Sequence, residues 1–348
     1  MTDGAEDMNG IAGIFGLAPD LEAGFEDGKP YSLVLNSMVE KGLIRSRAFA
    51  LDLRHAESET GAVIYGGLDL AKFTGKLATL PLEPGLHGEA RLAVSIAAVG
   101  VTREESSTYP VNQDHHSAIL DSGTTLTRLH PRLAKPILED LGASVDPDGY
   151  YLTPCTLRET DATVDFGFGE EGSDPVTTLR VRVSDFILDM QHPSNADLCY
   201  VGLAATEHQQ VLGDSVLRSG YFVFDWDNEQ VHIAQAANCG TDIVAIGDGS
   251  NAVPDVEGKC VLNDDGKPTV APTATVSSSG SLASSTTQPS TLDTGDVTNG
   301  ASGDGGEDSQ VGDAESGGDE SAARGSQGLL TVWPVAAATM AGIYLVLL

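Results

Sequence analysis

The run Ala118-Ile119-Leu120 ends in Asp121-Ser122-Gly123-Thr124-Thr125, so a strand-like apolar segment delivers an Asp straight into a glycine turn. Taken alone the motif has a plain structural reading, because an Asp in a tight turn ordinarily caps nearby backbone. Its chemical reading is a carboxylate held for acid–base work on water. That chemistry needs two carboxylates sharing one proton, the ionised one taking a proton from water and the protonated one polarising the group under attack. A single Asp cannot fill both roles, so what surrounds Asp121 along the chain decides what the motif means.

The 348 residues would ordinarily suggest two domains. About the last ninety are too polar and too rich in Gly and Ser to bury a core, which leaves residues 9–260 as the globular part. Within it the periodicity is mostly that of strands. Residues 92–101, 177–188 and 221–233 are rich in Val, Ile, Leu and Phe and are punctuated by Gly, Asp or Pro. Helical spacing occurs in two places: residues 31–43 set Leu35, Met38, Val39 and Leu43 on one face, and residues 131–141 begin with a Pro suited to a helix start. Pro136 predicts an irregular first turn in the second helix.

Further motifs fall in order around Asp121. Upstream stand Asn9-Gly10-Ile11-Ala12-Gly13-Ile14-Phe15-Gly16-Leu17 and Gly61-Ala62-Val63-Ile64-Tyr65-Gly66-Gly67-Leu68-Asp69. Downstream stand Val211-Leu212-Gly213-Asp214 and Tyr221-Phe222-Val223-Phe224-Asp225. Singly each is compatible with any β-rich protein; in this order the set resembles the pepsin-like aspartic peptidases. The resemblance implies an all-β, pepsin-like bilobal acid protease fold, with the second lobe complete and the first partial, followed by a disordered Ser/Thr/Gly-rich stalk. The corresponding organisation is a first-lobe remnant with inter-lobe strands over 1–85, the second lobe over 86–240, and a disulfide-stapled extension over 241–268. A stalk over 269–328 and a hydrophobic tail over 329–348 complete it.

Carried over residue by residue, the resemblance makes Asp121 the second-lobe catalytic carboxylate. Ser122 takes the hydroxyl position that ties two catalytic loops together at their base. Gly123 lends its N–H to the carboxylate where a Cβ would crowd the site. Thr124 donates its hydroxyl to the outer oxygen of Asp121, and Thr125 faces substrate backbone. Leu212 and Gly213 pack under the loop, and Asp214 and Asp225 are fold residues. The resemblance also pairs Cys155 with Cys199 beside the substrate cleft, leaving Cys239 with Cys260.

The front of the chain departs from the family pattern. The first D-T-G and the tyrosine-bearing flap belong upstream of Gly10, where the sequence offers only the polar stretch from Met1 to Asp7. Asp293-Thr294-Gly295 is spelled correctly, but no apolar strand enters it and it follows Asp121 instead of preceding it, so it reads as a chance match. Two explanations are carried forward. The favoured one is an N-terminally truncated fragment of an aspartic endopeptidase, inactive by itself; the other is a short product that is inactive or completes its site by pairing. The alternative from another functional class is a non-catalytic surface pseudo-peptidase, a wall-associated binding module.

Four cysteines, an even number, suit two disulfides in an oxidising compartment. They show no C-x-x-C spacing, so no metal is expected. Asp114-His115-His116 reads as a solvated loop, because neighbouring strand residues point to opposite faces. No cofactor is expected. A net charge of −32 argues against nucleic acid and anionic lipid as partners.

The C-terminus carries a second signal. Residues 269–326 are dominated by Ser, Thr, Gly and Asp, and their Ser/Thr/Pro-rich first half reads as an O-glycosylated stalk. Residues 329–348 are apolar and uncharged, with no basic segment beyond. Small residues around Ser316, a polar spacer and this tail have the layout of a GPI-attachment signal, with Ser316 as the attachment candidate and Gly317 or Asn299 as alternatives. A C-terminal transmembrane helix is the second reading. The ensemble resembles the yapsin-like GPI-anchored aspartic peptidases of fungi. That resemblance implies a monomeric enzyme at the extracellular face of the plasma membrane or in the cell wall, with proteins or peptides as substrates.

Overall fold

Ala48–Asp52 and Gly220–Asp225 run antiparallel, from Ala48 opposite Asp225 to Asp52 opposite Tyr221, with every residue of both strands buried. Successive strand residues point to opposite faces. Phe49, Leu51, Phe222 and Phe224 therefore join a large core on one side, and Ala48, Ala50, Tyr221 and Val223 a smaller one on the other. This is why both segments read as almost unbroken apolar runs. The rings of Phe49 and Phe224 stack at 5.0 Å between centroids, and Trp226 follows 5.3 Å from Phe224. Each such side chain removed from water contributes about 2 kcal/mol. The Trp226 indole also donates to the Leu17 carbonyl at 2.9 Å, tying down the segment 15–19.

The computed structural model describes residues 15–19, 31–55, 58, 60–84, 92–103, 106–110, 116–170, 174–262, 268–270 and 343–347. The paired strands lie inside one sheet whose order is Pro268–Val270, Cys260–Leu262, Phe73–Pro81, Gln230–Ala236, Gly220–Asp225, Ala48–Asp52, Gly61–Tyr65 and Ile343–Leu347. The last of these, inside the apolar tail for which a transmembrane helix is the second reading, is a strand that pairs parallel to Gly61–Tyr65 instead of a helix. Among the described residues no helix is long and apolar enough to cross a membrane. Ser316, Gly317 and Asn299, the Asp293-Thr294-Gly295 match, residues 9–14 and Asp114-His115 lie outside the described residues, as does nearly all of the stalk.

A second sheet carries Asp121. Its order is Thr177–Arg182, Thr163–Phe168, Ala93–Thr102, Ser117–Leu120, Gln210–Leu212, Thr127–Leu129 and Leu203–Ala205, with Ser106–Pro110 also pairing to Ala93–Thr102. A smaller sheet of Ile187–His192, Asn195–Val201, Tyr151–Pro154 and Ser144–Val145 holds the disulfide between Cys155 and Cys199. Cys239 is bonded to Cys260, which brings strand Cys260–Leu262 to the edge of Phe73–Pro81. The described residues are thus mostly β with few helices, as expected of an all-β chain.

The first helix and the strand expected over 177–188 depart from expectation. The first helix spans only Val34–Glu40, and Leu43, expected on its buried face, is 49% exposed. Gly42 ends it at φ +66, its N–H bonding to the Val39 carbonyl while that of Leu43 bonds to Met38. The second helix, Pro131–Asp140, passes through Pro136 as one element. Pro136 forfeits one hydrogen bond, to the Arg132 carbonyl four residues back, while the Leu133 and Ala134 N–H groups both donate to the His130 carbonyl, at 2.8 and 2.9 Å, and hold the first turn. The expected strand over 177–188 is interrupted: Thr177–Arg182 is followed by a helical turn, Val183–Phe186, before Ile187–His192 begins. Asp185 on that turn is held by Arg182 and His55, and a straight strand would pull it away from them.

Candidate active site

Strand Ser117–Leu120 lies parallel to Gln210–Leu212, Leu120 opposite Leu212. On the far side of Gln210–Leu212 runs Thr127–Leu129. The intervening loop, residues 121–126, must therefore cross over the end of the strand between, which puts Gly213 directly beneath it. A Cβ on Gly213 would stand 2.4 Å from the Thr124 carbonyl oxygen and 2.9 Å from that of Thr125. Only glycine fits.

The loop hangs on this ridge at both ends. The Asp121 N–H donates to the Leu212 carbonyl at 3.0 Å, and the Asp214 N–H donates to the Thr124 carbonyl at 2.8 Å. At 3.3 Å the Ser215 N–H donates to the Thr125 carbonyl. Underneath, Thr127 and Ser215 are fully buried and share a hydrogen bond at 3.0 Å. At the other end of the central strand, the buried Gln210 side chain accepts from the His130 N–H at 2.8 Å and donates to the Ser117 carbonyl at 3.1 Å.

Asp121 emerges half-buried from this frame with a donor on each oxygen: the Gly123 N–H on Oδ1 at 2.9 Å and the Thr124 hydroxyl on Oδ2 at 2.5 Å. The two donors fix the plane of the carboxylate. Ser122, Gly123 and Thr125 are exposed around it. Among the described residues, no hydrogen bond or ion pair joins Asp121 to a second carboxylate. Asp214 is turned to structure, paired with Arg218 at 2.9 Å; burial raises its carboxyl above the usual range, with the Arg218 charge opposing. Asp225 caps the turn after its strand, accepting from the Asn228 N–H at 3.2 Å and side-chain amide at 2.7 Å.

His116, the one described member of the Asp114-His115-His116 trio, stands 3.7 Å from Glu83. Among the described residues no group of three His, Cys, Asp or Glu side chains could hold a metal ion. Sequence reading missed Thr127, Ser215 and Gly202. Their connection spans positions far apart in the chain, and a Thr or Ser among apolar residues gives no local signal of a buried partner.

The family model for the eukaryotic aspartyl proteases matches residues 4–236. Among curated proteins the chain is similar to "Probable aspartic-type endopeptidase opsB" of Aspergillus oryzae, 29% identical over 70% of this chain and 51% of the relative. It is also similar to a "Probable aspartic-type endopeptidase OPSB" of Arthroderma benhamiae, 30% identical over 72% and 52%, and to "Aspartic proteinase 3" of Saccharomyces cerevisiae, 30% identical over 67% and 42%. The chain thus spans about half the length of these relatives. The crystal structure of the aspartic proteinase from Irpex lacteus aligns with a TM-score of 0.47 at 17% identity, over 59% of this chain and 61% of that one. The Asp121 loop over its glycine ridge and the match across 4–236 give one assignment: this chain belongs to the eukaryotic aspartyl protease family.

Proposed function

We propose that this chain contributes one of the two catalytic carboxylates of an aspartic endopeptidase, Asp121, and that the second comes from a first lobe outside the described residues. The observation that carries this reading is the carboxylate of Asp121, oriented by Gly123 and Thr124 and left open on its exposed side. The pair shares one proton. The ionised member takes a proton from the attacking water while the protonated member gives its own to the carbonyl oxygen of the scissile bond. Gly123 and Thr124 hold Asp121 still through this exchange, and the exposure of Thr125 supports a role for it against substrate backbone. Substrates are proteins or peptides.

The proposed setting is the cell surface. A secreted aspartic protease of Candida albicans is among the relatives, and the Ser/Thr-rich stalk with its apolar tail fits a GPI-anchored protein. Two experiments test the reading. Peptide hydrolysis at acid pH by the native protein should be abolished by Asp121→Asn with folding retained; turnover that survives removes the aspartic mechanism. Phospholipase C should release the protein from cells, and resistance with the C-terminal peptide still attached would replace the anchor by a membrane helix.

A further inference from the structure

We propose that Thr127 and Ser215 are positioning residues for Asp121, their hydroxyls forming a buried hydrogen-bond chain of fixed direction that holds the Gly213 ridge beneath the Asp121 loop. The inference rests on the reading of Asp121 as a catalytic carboxylate. Its direction follows from proton counting. The Ser215 hydroxyl donates to the Gly202 carbonyl at 2.8 Å, and a carbonyl can only accept, so the single Ser215 proton is spent there. Across the 3.0 Å contact between the two hydroxyls, Thr127 must then be the donor. Its lone pairs accept the Gly213 N–H at 3.1 Å. The chain therefore runs from the Gly213 N–H through Thr127 and Ser215 to the Gly202 carbonyl; the Thr127 N–H donates to that same carbonyl at 2.9 Å and, over a longer 3.3 Å, to the Ser215 oxygen.

The location gives this chain its consequence. The Gly213 N–H lies between the Leu212 carbonyl, which receives the Asp121 N–H, and the Asp214 N–H, which holds the Thr124 carbonyl. Two of the three bonds that suspend the Asp121 loop thus flank the group that Thr127 fixes. Gly202 is anchored in turn, its N–H donating to the Phe186 carbonyl at 2.7 Å, and a Cβ there would stand 2.7 Å from both that oxygen and the Ser215 Cβ. Thr127 and Ser215 are fully buried, at 0% and 1% exposure, so water cannot replace a missing hydroxyl without a cavity to enter. A shift of the ridge would pass directly to the carboxylate, and displacements well under an ångström in such sites change rates by an order of magnitude or more.

Thr127→Val keeps the side-chain shape and removes the hydroxyl. In the native protein it should lower kcat about tenfold with KM within about twofold, and Thr127→Ser should restore turnover. Asp121→Asn, assayed alongside, separates the two claims. Turnover that survives Asp121→Asn sinks the catalytic reading, whereas turnover lost in Asp121→Asn and unchanged in Thr127→Val sinks only the positioning role. Amide exchange on the chain itself supplies a measure that needs no turnover. Thr127→Val should speed exchange of the Asp121 and Asp214 amides about tenfold more than that of amides in Gly220–Asp225. Equal acceleration in both regions would make the hydroxyl pair a contributor to global stability only, and would overturn the proposal.

Discussion

His55 and Asp185 meet at 2.8 Å, Nδ1 to Oδ2, although 130 residues separate them. The contact joins the segment leaving strand Ala48–Asp52 to the helical turn Val183–Phe186, and Arg182 completes it at 3.1 Å. Burial alone would raise the Asp185 carboxyl; the hydrogen bond and charge of His55, with Arg182, outweigh it and lower it from 3.8 to about 2. A carboxyl depressed by folding stabilises the native state above its unfolded value and loses that contribution as pH falls through its folded value. Asp185→Asn should therefore cost about 2 kcal/mol near pH 5, where the ion pair with His55 counts, with the difference from wild type closing as pH falls from about 4 to 2. Denaturant melts at three pH values across this window check it. A cost that stays constant with pH would assign Asp185 a packing role only.

Gly213→Ala offers a sharper test of the ridge. The added methyl would meet backbone oxygens of Thr124 and Thr125 inside 3 Å, and neither can rotate away as a side chain could. The variant should lose about 3 kcal/mol or displace the Asp121 loop, and peptide turnover should fall at least about a hundredfold. Gly142→Ala makes a useful contrast, because its Cβ would meet open space and only the positive φ of +63 opposes it. If Gly213→Ala is no worse than Gly142→Ala in melting temperature and turnover, the close approach does not constrain the site.

The donors on Asp121 lie two and three residues beyond it, so the spacing of the D-S-G-T turn carries them, and local sequence suffices to find them. The same holds for strands such as Gly220–Asp225, where burial on both faces leaves an unbroken apolar run. The helical turn Val183–Phe186 is different. Val183 and Phe186 would serve a strand equally well, and what selects the turn is Asp185 reaching His55 across the fold. Thr127 and Ser215 are likewise specified by each other at a separation of 88 residues, which no window of sequence displays. Leu43 follows helical spacing and yet is exposed because Gly42 adopts φ +66 one residue earlier, a stop signal that outweighs the periodicity.

Asp52 predicts a pH dependence of opposite sign. It is 1% exposed at the end of its strand, and burial raises its carboxyl from 3.8 to about 6 against the charges of Arg54 and Lys72. Arg54 Nε stands 2.6 Å from Oδ2 and its contacts pull the carboxyl down, but the cost of burial outweighs them. A carboxyl raised by folding favours the native state below its unfolded value and loses that contribution as pH rises through its folded value. Wild type should thus lose about 2 kcal/mol from this group between pH 4 and 7, and Asp52→Asn should not. Relative to wild type the variant gains stability across that interval. Melting curves that run parallel from pH 4 to 7 would sink this account of Asp52.

His232 sets the acid limit of the same sheet. It lies on Gln230–Ala236 opposite Thr79 and Val223, 5% exposed, with Nδ1 at 2.9 Å from the Thr79 hydroxyl and Nε2 buried without a hydrogen-bond partner. Burial lowers its imidazole from 6.5 to about 4. The folded state therefore holds the neutral ring, and the unfolded chain takes up the proton first as pH falls. The native state keeps its full stability above about 6.5 and loses it progressively toward 4, by about 3 kcal/mol in all. His232→Leu keeps the ring's site apolar and removes the titration, so its stability should stay level across the interval in which wild type declines. The two lines of free energy against pH should converge or cross between pH 6.5 and 4. A wild-type slope that persists unchanged in His232→Leu would place the acid sensitivity of this sheet on another group.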